Sequence, residues 1–349
     1  MRYFYLLSVL IFVFLWTPIS GCSKSGSQSG WTQGTYAEFD NLSVFSSAIP
    51  LLKQTNTQLL LAVYPSDIGS SQFLNLLNKA FSNGVEVRLW PMLTQSEGLW
   101  PNEDNVDLFS QEVNNLISWL SSNNIKQGWL IFDMESPYAL TMSMTTSAQT
   151  GGVTSVINLL TAYVDPSTYS YAFQRFSDVI QSLHQKGWKV ECVTYPLVLD
   201  DLVVGKQNIQ MLFHIPVTGL PWDQISFMVY QSSFRSLLGK YYGSSIIASY
   251  SKDAYRFYGN NAVVALGVIG NDPLSGEQGY TDTTELFDDI SAALGEGIRH
   301  IEIYSLSEIL VQQNPKSWLE TSGIKPSETA ISSAVQSIRT LIQSFDKSL

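Results

Sequence analysis

The stretch Gly128-Trp-Leu-Ile-Phe-Asp-Met-Glu-Ser136 sets two carboxylates two positions apart at the end of an apolar run. A strand alternates its faces, so Asp133 and Glu135 point one way while Leu130, Phe132 and Met134 point the other, into an apolar layer. Two acids at the mouth of a core strand are costly unless they are partnered or used. In a cleft, one of them should stay protonated near neutral pH and act as a proton donor. The structural alternative is a pair bound to Arg88, or one that caps a loop.

Such a strand needs neighbours, and the chain supplies them at regular intervals. Apolar runs at 58–64, 85–90, 129–135, 189–195, 224–230, 262–268 and 300–306 read as strands, and an eighth is expected between Tyr36 and Phe45. Amphipathic segments at 71–83, 105–123, 169–186, 245–258, 283–294 and 328–345 read as helices, with Gly84 and Gly187 stopping two of them. Strict alternation with eight strands predicts an α/β protein, a single-domain TIM-type (β/α)8 barrel over residues 31–349. A doubly wound open sheet would want a glycine-rich phosphate loop after an early strand, and none is visible.

Strand faces fit the barrel. One face is apolar throughout, as in Leu59, Leu61 and Val63 or Ile225, Phe227 and Val229. The other carries Glu86, Arg88, Glu191 and Glu302, so Arg88 is expected to bind at least one of these glutamates. Active sites of such barrels lie at the C-terminal strand ends. Those ends carry Trp90, Asp133, Glu135, Tyr195, Met228, Tyr230 and Tyr304, and Trp100 lies in the loop after the third strand. Aromatic faces stack on sugar rings and a carboxylic acid protonates a glycosidic oxygen, so the predicted partner is a poly- or oligosaccharide.

The fourth strand resembles that of the family 18 glycoside hydrolases, the chitinases and endo-β-N-acetylglucosaminidases. Their short signature Asp-x-Asp-x-Glu is matched by Ile131-Phe-Asp133-Met-Glu135 in its last two acids. Their sixth-strand Met-x-Tyr-Asp is matched by Met228-Val-Tyr230-Gln231 in Met and Tyr. The resemblance implies Glu135 as general acid, with Asp133 orienting and Tyr230 hydrogen-bonding the substrate's acetamido group, whose own oxygen attacks the anomeric carbon. Sugar contacts are expected from Trp90, Trp100, Tyr195, Met228, Gln231 and Tyr304 around the mouth. Ile131, Gln231 and Tyr304 depart from the family's Asp, Asp and Trp, which removes a partner for Asp133, a charge and an indole floor. The alternatives are a glycan-binding barrel without turnover and a two-carboxylate glycosidase of another barrel family. Asp200, Asp201, Asp272 and Glu277 are candidate loop acids for the latter.

At the N-terminus, Arg2 followed by the apolar run Tyr3 to Trp16 reads as a secretion signal too short for a membrane span. Ile19-Ser-Gly-Cys22 resembles the bacterial lipobox, which implies cleavage after residue 21 and a lipid on Cys22. Residues 22–30 then form a Ser/Gly-rich tether to the barrel. Ser23 resembles the residue after the cysteine in lipoproteins sent to the outer membrane, so a lipid-anchored envelope protein is expected.

The formal charge of −11 argues against nucleic acid, and loss of Arg2 with the signal deepens it. Charged residues make up 14% of the chain, against roughly 25% in ordinary domains. Cys192 is the sole cysteine besides Cys22, so no disulfide framework is expected and Cys192 should pack as a small apolar residue. His184, His214 and His300 show no ligand spacing, which argues against a metal, and no cofactor motif is present. Residues 136–166 read as a long insertion of little core character, a lid, a subsite wall or a mobile loop.

Overall fold

The computed structural model describes residues 30–161, 164–238, 240–271 and 278–349. Cys22, the segment expected to be a signal and all of the expected tether but Gly30 lie outside the described residues, as do Asp272 and Glu277. Eight parallel strands close into a barrel in sequence order: β1 (Thr32–Ala37), β2 (Thr57–Val63), β3 (Val87–Pro91), β4 (Gly128–Met134), β5 (Trp188–Thr194), β6 (Gln224–Met228), β7 (Ala262–Gly267) and β8 (His300–Tyr304). The β1–β8 pairing, with Thr32 opposite His300 and Thr35 opposite Ile303, shuts the ring.

Helices cover the outside. They are α1 (Leu42–Gln54), α2 (Ser71–Ser82), α3 (Val106–Ser122), α4 (Tyr138–Thr161), α5 (Pro166–Gln185), α6 (Val198–Val204), α7 (Asn208–Leu212), α8 (Gln231–Leu238), α9 (Ser244–Tyr258), α10 (Thr283–Gly295), α11 (Leu306–Leu310), α12 (Pro315–Leu319) and α13 (Ser333–Ser348). On α3, Val106, Phe109, Val113, Leu116 and Leu120 recur at helical spacing and are all buried against the barrel. Phe109 meets Phe132 of β4 edge to face at 4.8 Å, a geometry worth about 1 kcal/mol beyond area burial. Cys192 is fully buried in this outer layer, as a small apolar residue should be. None of the described helices is long and apolar enough to cross a membrane.

Three expectations change. The eighth strand begins four residues before the expected Tyr36–Phe45 window and overlaps it only at Tyr36 and Ala37, because Phe45, Ala48, Ile49 and Leu52 repeat at helical spacing and bury one face of α1. Gly34 sits at the middle of β1, where an added Cβ would come within 3.0 Å of the Leu60 side chain inside the barrel. The segment 136–166 is no loop, since α4 occupies Tyr138–Thr161 and Asp165 then caps α5 through the Ser167 and Thr168 amides. The last helix starts at Ser333, not at 328, because Ser332 caps it by accepting from the Val335 amide.

Candidate active site at the barrel mouth

Side chains fill the barrel in layers. Lowest is a polar layer in which Arg88 Nη1 donates to Glu191 Oε2 at 2.5 Å and to Gln224 Oε1 at 2.6 Å. The guanidinium also lies 4.2 Å from the Trp129 ring centre. Arg88 Nε reaches Glu86 at 3.3 Å, but Glu86 precedes β3, and its side chain, 46% exposed, sits at the rim rather than inside as its parity predicted. Glu302 accepts from Ser226 Oγ at 2.6 Å and from the Tyr36 hydroxyl. Burial and the neighbouring Glu302 push Glu191 up to about 8, against the pull of Arg88. Burial, then Arg88, pushes His300 down to about 3. This layer fills and braces the barrel, and because Arg88 is committed here it does not hold Asp133 or Glu135.

Above it lies an aromatic and aliphatic layer of Tyr36, Leu60, Trp90, Ile131, Val193 and Met228. Tyr36 contacts Trp90 edge to face at 5.4 Å and Tyr304 at 5.9 Å, and Tyr304 contacts Tyr230 at 5.9 Å. Ile131 is inward-facing, in line with Asp133, so an apolar residue stands where the family 18 pattern has its first acid.

The top layer holds three carboxyl groups. Asp133 is 3% exposed, and its carboxyl is held far above the ordinary range by burial, then by the charges of Glu135 and Glu38 and a hydrogen bond with Glu135. Asp133 Oδ1 has no hydrogen-bond partner among the described residues. Half-buried Glu135 accepts from the Tyr195 hydroxyl at 2.9 Å, and that hydroxyl accepts from the Ser136 amide at 3.3 Å. Burial, then Glu135, keeps the Tyr195 hydroxyl protonated and therefore a donor. Across the mouth, Glu38 follows β1 and accepts from Tyr304 at 3.0 Å and from Tyr64 at 3.3 Å.

Asp133, Glu135, Tyr195, Tyr230 and Tyr304 are thus brought together as their strand ends predicted. Trp90 and Met228 lie beneath them in the barrel. Trp100 is 4% exposed and packs on Tyr138 at 5.9 Å, so it supports the rim from below instead of offering an open face. Gln231 is turned away from the mouth: it is buried, and its Nε2 donates to Asp289 Oδ2 of α10 at 2.5 Å. Asp200 and Asp201 are not loop acids, since both are buried on α6, where Asp200 binds Arg339 of α13 and Asp201 accepts the Ile209 and Gln210 amides.

Glu38 and Tyr64 escaped sequence reasoning. The signal was present, because Tyr36 and Glu38 share a strand face just as Asp133 and Glu135 do, but it needed β1 in its true frame. The fold also joins residues that showed no ligand spacing, as Glu103 and Asp104 of the β3–α3 loop meet His214 after α7.

No family model matches the chain, and no curated protein does. Among solved structures the chain is similar to a beta-glucosidase from Exiguobacterium antarcticum, at 10% identity over 80% of this chain and 89% of that one with a TM-score of 0.49. It is similar to a glycoside hydrolase family 17 beta-1,3-glucanosyltransferase from Rhizomucor miehei, at 13% identity over 85% and 97% of the two chains with a TM-score of 0.47. A D-allulose 3-epimerase from Methylomonas sp. is similar at 9% identity over 84% and 95%, with a TM-score of 0.45. Likeness at this level concerns the barrel and not its chemistry. What the chain is, on its own strand order and closure, is a single-domain (β/α)8 barrel.

Proposed function

We infer that the protein hydrolyses a glycosidic bond, with Glu135 as the proton donor. The observation that carries this reading is the Asp133–Glu135 pair, hydrogen-bonded at the open end of the barrel, with burial holding Asp133 protonated. A proton kept within the pair is available to Glu135, which passes it to the leaving oxygen as the glycosidic bond breaks. Tyr195 fixes the Glu135 carboxyl, while Tyr230 and Tyr304 provide ring faces for the sugar. The family 18 pattern on β4 and β6 extends the reading to an N-acetylhexosamine glycan. There the acetamido oxygen attacks the anomeric carbon, Tyr230 steadies that group, and water later opens the cyclic intermediate.

Glu38 favours a second reading, a two-carboxylate mechanism. It lies close enough to raise Asp133, and two tyrosines orient it. In that case Glu38, not the substrate, supplies the nucleophile or the base for water.

The test is turnover of a panel of aryl glycosides and chitin-type oligosaccharides by wild type, Glu135→Gln and Glu38→Gln. Loss of product only in Glu135→Gln, with inhibition by a thiazoline mimic of the cyclised acetamido sugar, supports the substrate-assisted form. Loss in both variants, without thiazoline inhibition, supports the two-carboxylate form. Glycan binding with no product from wild type would replace both with a binding barrel.

The proposed site of action is the cell envelope, on a lipid carried by Cys22. Support for this is the sequence Ile19-Ser-Gly-Cys22 and the tether that follows it. Mass spectrometry of the processed N-terminus, with membrane fractionation of Cys22→Ala, tests the anchor.

A further inference from the structure

Outside the mouth, one cluster combines metal-ligating side chains with unmet polar atoms. Glu103 and Asp104 lie in the loop between β3 and α3, and His214 follows α7. One ligand atom from each of the three can be chosen so that all lie within 4.8 Å of one another. The loops are laced together, because the Glu103 amide donates to the His214 carbonyl at 2.9 Å. His214 takes a left-handed backbone, φ 60°, a conformation uncommon outside glycine.

An ion pair accounts for only part of the arrangement. His214 Nδ1 lies 2.7 Å from Glu103 Oε1, while His214 Nε2 is buried with no hydrogen-bond partner among the described residues. Glu103 Oε2 is likewise buried and unpartnered, and both residues are more than nine-tenths buried. Buried polar atoms left this way are expensive. Nδ1 is 2.7 Å from Glu103 Oε1 and 4.0 Å from Asp104 Oδ1. Those spacings bracket the roughly 3.3 Å that separates two ligands each about 2.0–2.1 Å from a tetrahedral ion. The carboxyl of Asp104 is 55% exposed and free to adjust. Glu103 and Asp104 also line a surface cavity of about 560 Å³, which gives water access to a remaining coordination position.

We propose that Glu103, Asp104 and His214 form a divalent-cation site of the zinc class. One imidazole nitrogen with two carboxylates suits zinc or manganese, whereas magnesium and calcium favour all-oxygen shells. The ion clamps a segment that backs the mouth. Phe213, next to His214, packs on Tyr195 at 5.2 Å, and its carbonyl accepts from Ser136 Oγ at 2.9 Å. The site makes no use of the glycosidase reading and is tested without activity.

The experiment is calorimetric titration of chelator-treated, full-length protein with zinc chloride, with thermal melts alongside. Expected are one zinc per chain, a saturable rise in Tm, and binding weakened at least tenfold in His214→Asn and Glu103→Gln. Asparagine tolerates the left-handed backbone, and Asp104→Asn, at the exposed ligand, serves if a buried variant does not fold. No stoichiometric zinc binding by wild type overturns the proposal. So does zinc affinity that is unchanged in every folded variant, or magnesium binding of equal strength that survives His214→Asn.

Discussion

Tyr304, the last residue of β8, donates a 3.0 Å hydrogen bond to Glu38, the residue after β1. The two strands are neighbours in the closed barrel although 266 positions separate the residues. Where the family 18 pattern has an indole floor, this chain has a ring that also carries a hydroxyl, and the hydroxyl orients a third carboxyl at the mouth.

Tyr304→Phe keeps the ring and removes that bond. Losing a hydrogen bond of this kind costs the bound transition state about 1–3 kcal/mol, so kcat/KM is expected to fall by roughly 5- to 150-fold. Unchanged turnover on the best substrate of the panel would make Glu38 a structural acid.

Glu135→Gln should lower kcat by about 10²–10⁴-fold, the usual share of general acid catalysis, and leave the far-ultraviolet spectrum intact. Asp133→Asn removes the proton-sharing partner. The expected result is a lower kcat with a displaced alkaline limb of the pH–rate profile, the limb set by loss of the donor's proton, a readout that a purely structural defect does not move.

Glu191 links stability to pH in the barrel interior. Its folded pKa, about 8, lies above the ordinary glutamate value of 4.5, so the fold binds the proton more tightly than the unfolded chain. The stability this contributes is complete below about 4.5 and is lost as pH rises through about 8. Melts of wild type and Glu191→Gln between pH 5 and 8, a range set by linkage, should therefore show wild type losing Tm relative to the variant as pH increases. A constant difference across the range would sink this assignment.

Arg339 clamps α13 to the body. It reaches Asp200 at 2.8 Å and Asp253 at 2.6 Å, donates to the Ser249 carbonyl at 3.1 Å, and lies 4.1 Å from the Tyr250 ring centre. Arg339→Met leaves buried Asp200 without its cation and should cost about 3–5 kcal/mol in chemical denaturation. A loss near zero would show that α13 contributes little to the fold.

Gln231→Asp would match the family 18 sixth-strand pattern in sequence but not in space. Its side chain would face the buried Asp289 carboxyl, now bonded by Gln231 and by Tyr280 at 2.6 Å. The expected outcome is a lower Tm without a gain in turnover, measured on the same glycoside panel.

Local pattern determined much of this protein. The alternation of apolar runs and amphipathic segments specified the barrel, because each element buries one face and its period is written in consecutive residues. The parity of β4 put Asp133 and Glu135 on one face, and the charge on β3 required Arg88 to find a glutamate, which it does at Glu191. Low helical propensity hid α4, whose Thr, Ser and Gly residues read as a loop.

Tertiary structure alone decided which of these residues meet. Closure of β1 on β8 brought Glu38 to Tyr304, and the return of the chain after α7 brought His214 to Glu103. The register of β6 against the helices turned Gln231 to Asp289, outside the barrel. Such contacts depend on barrel closure and on register between distant segments, whereas propensity and periodicity extend over only a few turns or a single strand.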